Sequence, residues 1–318
     1  MTNKDKTRQL ATTIDDTILP LITSDYVLWG LPYYINPGDT FIWNGALEML
    51  KGCKYKCLGT CGWADYTYVP LKKETVILIM GGGYFGDVWR QAWDNVMNTI
   101  TLYPDNPIVI LPQSIYYESQ DTADSDAARL AQLKRLTICV RDQKSYDYGC
   151  THFSNPVILV PDLAFHMDLK RLRSYMIDET EKVLYLKRLD KEFPSGKTDI
   201  TGGDVDTTDW PAMTAGVRPT LPLRLTNKIV ALAGKFLPKR INQKTYIWIM
   251  KHIHRNLITK DAVSFISQYK TIYTTRLHVM IIAFLLGKEV FIMDNSYGKV
   301  SGCYQTWLKE CDNIKIYE

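Results

Sequence analysis

The sequence has no apolar run long enough to cross a bilayer. The longest, such as 279–287, falls well short of the roughly 18 residues that a spanning helix needs. A secretory leader is not expected either, because residues 1–9 are polar and charged and no small-residue cleavage site follows an apolar core. Histidine is scarce: five occur in 318 residues, and no pair has the spacing and acid partner of a zinc hydrolase. The seven cysteines are odd in number, which excludes complete disulfide pairing, and reduced thiols are expected. Cys53, Cys57 and Cys61 match no standard iron–sulfur or zinc run and have no fourth ligand nearby, so no metal is expected. Internal repeats and low-complexity tracts are absent as well.

One further absence is local. Between Asp209 and Asp261 there is no acidic residue, whereas Arg218, Arg224, Lys228, Lys235, Lys239, Arg240, Lys244, Lys251, Arg255 and Lys260 all fall there. Leu225, Ile229, Val230, Leu232, Phe236 and Leu237 are interleaved with them. Two readings stand. Residues 218–260 could dock on the anionic inner face of a membrane, near a lipid-linked saccharide. They could equally form a solvated positive face on a core-packed helix. Nucleic acid is not expected as a partner: net charge is only +4 and no nucleic-acid module is apparent. The expected location is cytoplasmic, peripheral on the inner membrane face under the first reading.

What is present suits a globular protein. Hydrophobic residues make up 46% and charged residues 23%, enough for two cores. The first half alternates helix and strand. A helix is predicted over 5–19, a strand over 26–31 and a helix over 40–50. Strands over 75–80 and 107–111, a helix over 124–134, and strands over 136–140 and 156–160 follow. A second series starts with a strand over 182–187. It continues with a loop over 197–208, helices over much of 226–268, a strand over 271–274, a helix over 276–286 and a strand over 289–293. Alternation of this kind implies parallel, doubly wound sheets. The expected architecture is α/β, with two Rossmann-like domains (1–170 and 171–318) facing a cleft. Ligands in such folds sit at the carboxyl ends of strands.

Gly81, Gly83 and Gly86 formally satisfy G-x-G-x-x-G between a strand and a helix expected from Asp87. Dinucleotide binding is not the reading. The pattern comes too late in the chain, and Pro112-Gln113 stands where the ribose-binding acid should be. No Lys-Ser or Lys-Thr follows, which excludes a P-loop. The glycines should still let a ligand approach the backbone and leave N–H groups open to an anion or a sugar hydroxyl. Asp87 would either cap the following helix or act on a hydroxyl. Asn36-Pro37-Gly38-Asp39 has the same strand–turn–helix setting. Arg276 and His278 lie at the expected start of an apolar helix, where buried cations are costly unless an anion compensates them.

These segments, kept in order, resemble the polysaccharide pyruvyl transferase family. Asn36-Pro37-Gly38-Asp39 is similar to its amino-terminal element, and Gly81–Trp89 to its glycine-rich motif. Arg188-Leu189-Asp190-Lys191-Glu192 is similar to its central Arg-x-Asp-x-Glu stretch, with Pro161–Phe165 and Asp209-Trp210 further matches. Thr275–His278, Leu285-Leu286-Gly287 and Asp294–Lys299 resemble its carboxyl-terminal signature, with Thr275 where an Asp is often found. The resemblance implies a fold like that of GT-B glycosyltransferases. It also implies phosphoenolpyruvate as co-substrate, no cofactor or metal, and a cyclic ketal on a hexose, galactose-type, of a capsular or exopolysaccharide repeat unit.

The donor's two anionic groups call for cationic clamps. Arg188 and Arg276 suit this, with Leu277 and Lys299 as further donor contacts. His278 would protonate the enol methylene, and Asp87 or Asp39 would orient hydroxyls or take a proton. Asn36, Gly38, Gly82, Gly83, Tyr84, Ser296 and Tyr297 are the expected acceptor or loop contacts. Arg188 could instead be spent on a salt bridge with Asp190 or Glu192. The rival reading, a nucleotide-sugar glycosyltransferase, needs a ribose-holding Glu on the last helix, and residues 277–287 contain no acid. A non-catalytic saccharide-binding module would use the 20 Tyr and 8 Trp for stacking, but would leave Arg276 and His278 unexplained.

Overall fold

The computed structural model describes residues 2–317 except 64, 67, 191, 193–199, 201–204, 214–224, 226–227, 230–231 and 233–238, and gives only the backbone of 239–242. Two compact units account for the chain. Unit 1 comprises Met1–Leu31, Ile42–Met167 and Tyr297–Cys311; unit 2 comprises Pro32–Phe41, Asp168–Ser296 and Asp312–Glu318.

Unit 1 holds a seven-stranded sheet in which every pairing is parallel. Its strands are β1 (Tyr26–Leu31), β2 (Cys57–Gly62), β3 (Val76–Ile79), β4 (Gly82–Gly86), β5 (Ile108–Tyr116), β6 (Leu136–Val140) and β7 (Val157–Leu159). The order is β2-β1-β3-β5-β6-β7, with β4 pairing β5. β1 and β3 are buried along their whole length, as continuous runs of Val, Ile, Leu, Tyr and Trp require when both faces are covered. The helices are α1 (Asn3–Ile18), α2 (Pro37–Met49, whose first turn belongs to unit 2), α3 (Arg90–Ile100), α4 (Gln120–Leu130) and α5 (Gln143–His152). In α1, Leu10, Ile14 and Ile18 recur every four residues and are buried, and the Thr2 side chain caps the start through the Asp5 N–H. The core between sheet and helices centres on Phe85, stacked on Trp93 at 3.7 Å between ring centroids.

Unit 2 holds a five-stranded parallel sheet, β12-β11-β10-β8-β9, from β8 (Thr180–Leu186), β9 (Val205–Thr208), β10 (Tyr269–Thr274), β11 (Glu289–Ile292) and β12 (Ile314–Ile316). Its helices include α6 (Leu169–Arg173), α7 (Lys239–Ile249), α8 (Arg255–Ser267) and α9 (Leu277–Leu286); α10 (Lys299–Cys303) returns to unit 1. Seven consecutive residues of α9, Val279–Leu285, are buried, and Gly287 ends the helix in the left-handed conformation, φ 76°. Both units are therefore α/β with parallel sheets, in the Rossmann-like manner expected.

The structure corrects several details. The glycine-rich segment is not a loop at a helix start: Gly82–Gly86 is strand β4, paired with β5, and α3 begins only at Arg90. The glycines serve that pairing. A Cβ on Gly81 would lie 2.6 Å from the Pro112 carbonyl oxygen, and one on Gly86 (φ 111°) would intrude on the carbonyl of Tyr116. β2 and α5 were not foreseen. The loop expected over 197–208 ends as β9, while its residues 197–199 and 201–204 lie outside the described part.

Candidate active site

The strand order of unit 2 reverses between β8 and β10, and ligands in open α/β sheets bind beyond the carboxyl ends of strands at such a reversal. Both candidate arginines stand there. Leu186 and Thr274 are register partners at the two strand ends, and Arg188 and Arg276 each follow two residues later. The strand tips are tied together. Thr274 Oγ1 donates to the Leu186 carbonyl (2.8 Å) and accepts the Arg276 N–H (2.9 Å). Thr275 Oγ1 accepts the Arg188 N–H (2.9 Å), a tie in which a hydroxyl serves well at this position.

Three carboxylates hold the two guanidinium groups. Arg276 donates through Nε and Nη2 to both oxygens of Asp209, the latter at 2.5 Å, and more weakly to Asp190 at 3.4 Å. Arg188 donates to both oxygens of Asp190 and to Glu192, each at 2.8 Å. The salt bridge weighed for Arg188 is thus present. Asn295 Nδ2 donates to Glu192 (3.2 Å), and the Ser296 N–H donates to the Glu192 carbonyl (3.2 Å). Burial pushes the Asp190 carboxyl up, but the Arg188 and Arg276 charges outweigh it and hold it below the ordinary carboxylate range. The network fixes the planes of both guanidiniums, and Arg276 Nη1 has no acceptor among the described residues.

His278 is the second residue of α9, whose N-cap, Arg276, supplies no side-chain cap. The Asn36–Asp39 turn packs on the imidazole. A Cβ on Gly38 would lie 2.5 Å from His278 Nδ1, so glycine is required here by space. Asn36 Oδ1 accepts the Gly38 N–H (2.9 Å), and Asn36 Nδ2 and Tyr34 Oη donate to Asp39 at 2.7 and 2.8 Å. Asn36, Gly38, Asp39, Arg188, Arg276, Leu277 and His278 therefore belong to one unit. The other four histidines have structural settings. His152 stacks on Tyr148, His166 bonds Asp15, His252 lies against Trp248, and His254 is buried beside the Met250 sulfur.

All but one of the remaining candidates belong to unit 1. Asp87 does not cap α3: its carboxylate accepts the N–H groups of Glu118 (2.9 Å) and Ser119 (3.0 Å) and so ties the end of β4 to the connection between β5 and α4. Gly82, Gly83, Tyr84, Tyr297 and Lys299 lie in unit 1, and exposed Ser296 is the last residue of the central segment of unit 2. A model of the family described as polysaccharide pyruvyl transferase matches residues 36–297, from the Asn36 turn to Tyr297.

The chain belongs to the polysaccharide pyruvyl transferase family.

Relatives agree. A Bacillus subtilis (strain 168) protein with the provisional pyruvyl-transferase name EpsO is 28% identical over 94% of this chain and 88% of its own length. Pyruvyl transferase 1 of Schizosaccharomyces pombe is 26% identical over 91% of this chain and 71% of its own. A functionally uncharacterised Klebsiella pneumoniae protein of known structure shares the fold, with TM-score 0.65 at 18% identity over 97% of this chain and 98% of that one. Membership makes this chain a transferase acting in polysaccharide biosynthesis.

Asp190 and Glu192 were legible as salt-bridge partners of Arg188, but not the bond of Asp190 to Arg276 nor the part of Asp209, which holds Arg276. The buried Arg141, which donates to Ser114 and Asp162, was not singled out either; the available signal was a cation placed directly after a largely buried strand.

Proposed function

We propose that this transferase moves the pyruvyl unit of phosphoenolpyruvate onto two hydroxyls of one hexose, galactose-type, in a capsular or exopolysaccharide repeat unit. The product is a cyclic ketal, and phosphate is released. The observation that carries the reading is the pairing of two buried, carboxylate-braced arginines at a sheet reversal with a histidine at the adjoining helix start. The start of α9 has no side-chain cap, and its N–H groups and dipole favour an anion; Leu277 would offer its N–H there. Arg276, through Nη1, and Arg188 would take the carboxylate and phosphate of the donor.

His278 would give a proton to the enol methylene, which becomes a methyl group, and C2 gains cationic character. One sugar hydroxyl adds to C2. The C2–O bond to phosphate then breaks with its electron pair leaving on phosphate, and the second hydroxyl closes the ketal. Of the two hydroxyl protons, one reloads His278 and one leaves with phosphate. Asp39, set in the turn beside His278, would orient a hydroxyl or accept its proton; Asp87, whose Oδ2 holds the Glu118 and Ser119 N–H groups, would do so through its other oxygen.

No helix of the described residues is long and apolar enough to cross a membrane. Leu225, Ile229 and Leu232 are helical, spaced as one helical face, and exposed by 51–58%, with exposed Lys228 beside them. This supports peripheral docking on an anionic leaflet, where a lipid-linked acceptor would be met.

The direct test is incubation with phosphoenolpyruvate and a panel of galactosides, glucosides and mannosides. Phosphate release together with a product heavier by the pyruvyl ketal is expected. Release of nucleotide from a nucleotide sugar, with no use of phosphoenolpyruvate, would reject the reading.

A further inference from the structure

Within unit 2, α7 faces two ways. Outward, Lys244 and Trp248 stand four residues apart on the exposed side of the helix, and Trp248 is 55% exposed. The His252 ring, also exposed, lies against the Trp248 ring at 5.1 Å between centroids. Inward, Ile249 and Met250 are buried, and Tyr246 Oη donates to the carbonyl of Tyr33 (2.6 Å). α7 then runs into a π-helical turn, Met250–His254, from which Lys251 reaches over the Tyr33 ring, with Nζ 5.9 Å from its centroid.

Tyr33 is buried and leads into the turn that packs on the imidazole of His278. The next residue, Tyr34, and Asn36 both donate to Asp39, and Gly38 leaves no room for a side chain against His278 Nδ1. The entry to this turn is therefore held by α7, while its far end rests on His278. The outer face of α7 has the chemistry of a membrane contact. No acid occurs between Asp209 and Asp261, so the stretch that carries α7 has no carboxylate of its own to offset its cations, and it complements an anionic surface. A tryptophan this exposed, beside a lysine, matches the interfacial layer of a bilayer, where an indole buries its ring and keeps its N–H wet.

We propose that α7 couples docking on an anionic lipid surface to the order of the Asn36–Asp39 turn, with Trp248 and Lys244 as the surface contacts and Tyr246 as the positioning residue that passes the effect inward. Lipid head groups bound to the outer face oppose any excursion in which Tyr246 releases the Tyr33 carbonyl, and the turn shares that gain. The proposal rests on the peripheral-docking part of the reading above; the link from Tyr246 to the turn does not depend on which reaction the site performs. Under the pyruvyl-transfer reading, the coupling seats the proton donor more firmly at the place where a lipid-linked acceptor is met.

Hydrogen exchange of the full chain, read by mass spectrometry with and without vesicles of equal parts phosphatidylglycerol and phosphatidylcholine, tests the coupling. In the wild type the vesicles should slow exchange of the amides of residues 33–40 about fivefold. Trp248→Ala should bind the vesicles about tenfold more weakly, the loss of one inserted ring. Tyr246→Phe should bind them within about twofold of the wild type yet show no slowing at 33–40. Circular dichroism checks that both variants fold. Vesicle binding that leaves 33–40 unchanged in the wild type would overturn the coupling and leave docking standing, and slowing that persists in Tyr246→Phe would overturn Tyr246 as the link. Absence of vesicle binding would reject docking and the proposal with it. Equal slowing by pure phosphatidylcholine vesicles, or by raising the protein concentration without lipid, would overturn the anionic surface as the partner. Slowed exchange in a protein that never consumes phosphoenolpyruvate would leave the coupling standing and reject the pyruvyl-transfer reading.

Discussion

At the scale of single residues, charge is paired before it is used. Arg276 and Arg188 are buried, and an unpaired buried guanidinium is costly, so Asp209, Asp190 and Glu192 are as necessary to the site as the arginines. Asp190 titrates below its ordinary value because the arginine charges outweigh its burial. A carboxylate whose pKa is lowered by folding stabilises the fold above its unfolded value of about 3.9, and this contribution is lost as pH falls through the folded value. Asp190→Asn should therefore have a lower urea midpoint than the wild type at pH 7, with the gap narrowing progressively as the pH is taken below about 4. A gap that stays constant between the two pH values would show that Asp190 contributes nothing through its charge. Arg276 and Arg188 could be singled out from the sequence, because cations beside an apolar helix start or in a recurring charged motif stand out locally. The carboxylates that hold them were less legible: Asp209 reaches Arg276 across 67 positions of sequence, through the pairings of β9 and β10 with β8 that no local pattern announces.

At the scale of elements, legibility followed side-chain character. The strands over 26–31 and 136–140 coincide with β1 and β6, because continuous β-branched and aromatic runs have one economical fate in a sheet covered on both faces. β4 was read as a loop because four of its seven flanking and internal motif positions are glycine, and glycine has little strand propensity of its own. Its pairing with β5 instead needs the absence of side chains at Gly81 and Gly86. β2, rich in Cys, Gly and Thr and largely accessible at the sheet edge, lacks the apolar alternation that marks a strand. Gly86→Ala should be strongly destabilising, by about 3 kcal/mol or more, since it adds a backbone clash to a positive φ. A thermal unfolding midpoint within about 1 °C of the wild type would contradict the role given to this glycine.

At the scale of the whole molecule, unit membership is not a simple matter of chain order. Residues 32–41 join unit 2 and carry the turn that packs on His278, while residues 297–311 join unit 1 and carry Lys299 to the glycine-rich strand. Residues far apart in sequence are thereby gathered into two local clusters, one at the α9 start and one at Gly83. The acid-free basic stretch adds a third feature, with Leu225, Ile229 and Leu232 exposed on its helical part. Replacing Lys235, Lys239, Arg240 and Lys244 by Gln should weaken sedimentation with anionic liposomes, and unchanged binding would reject peripheral docking.

The most direct measurement is the steady-state rate of phosphoenolpyruvate consumption by His278→Gln beside the wild type, with a galactoside acceptor present. Loss of the proton donor should lower kcat by about 10²–10⁴-fold while KM for phosphoenolpyruvate moves little, because the arginine clamp is untouched. A variant that turns over at the wild-type rate would contradict the assignment of His278 as the acid, and with it the chemistry assigned to this site.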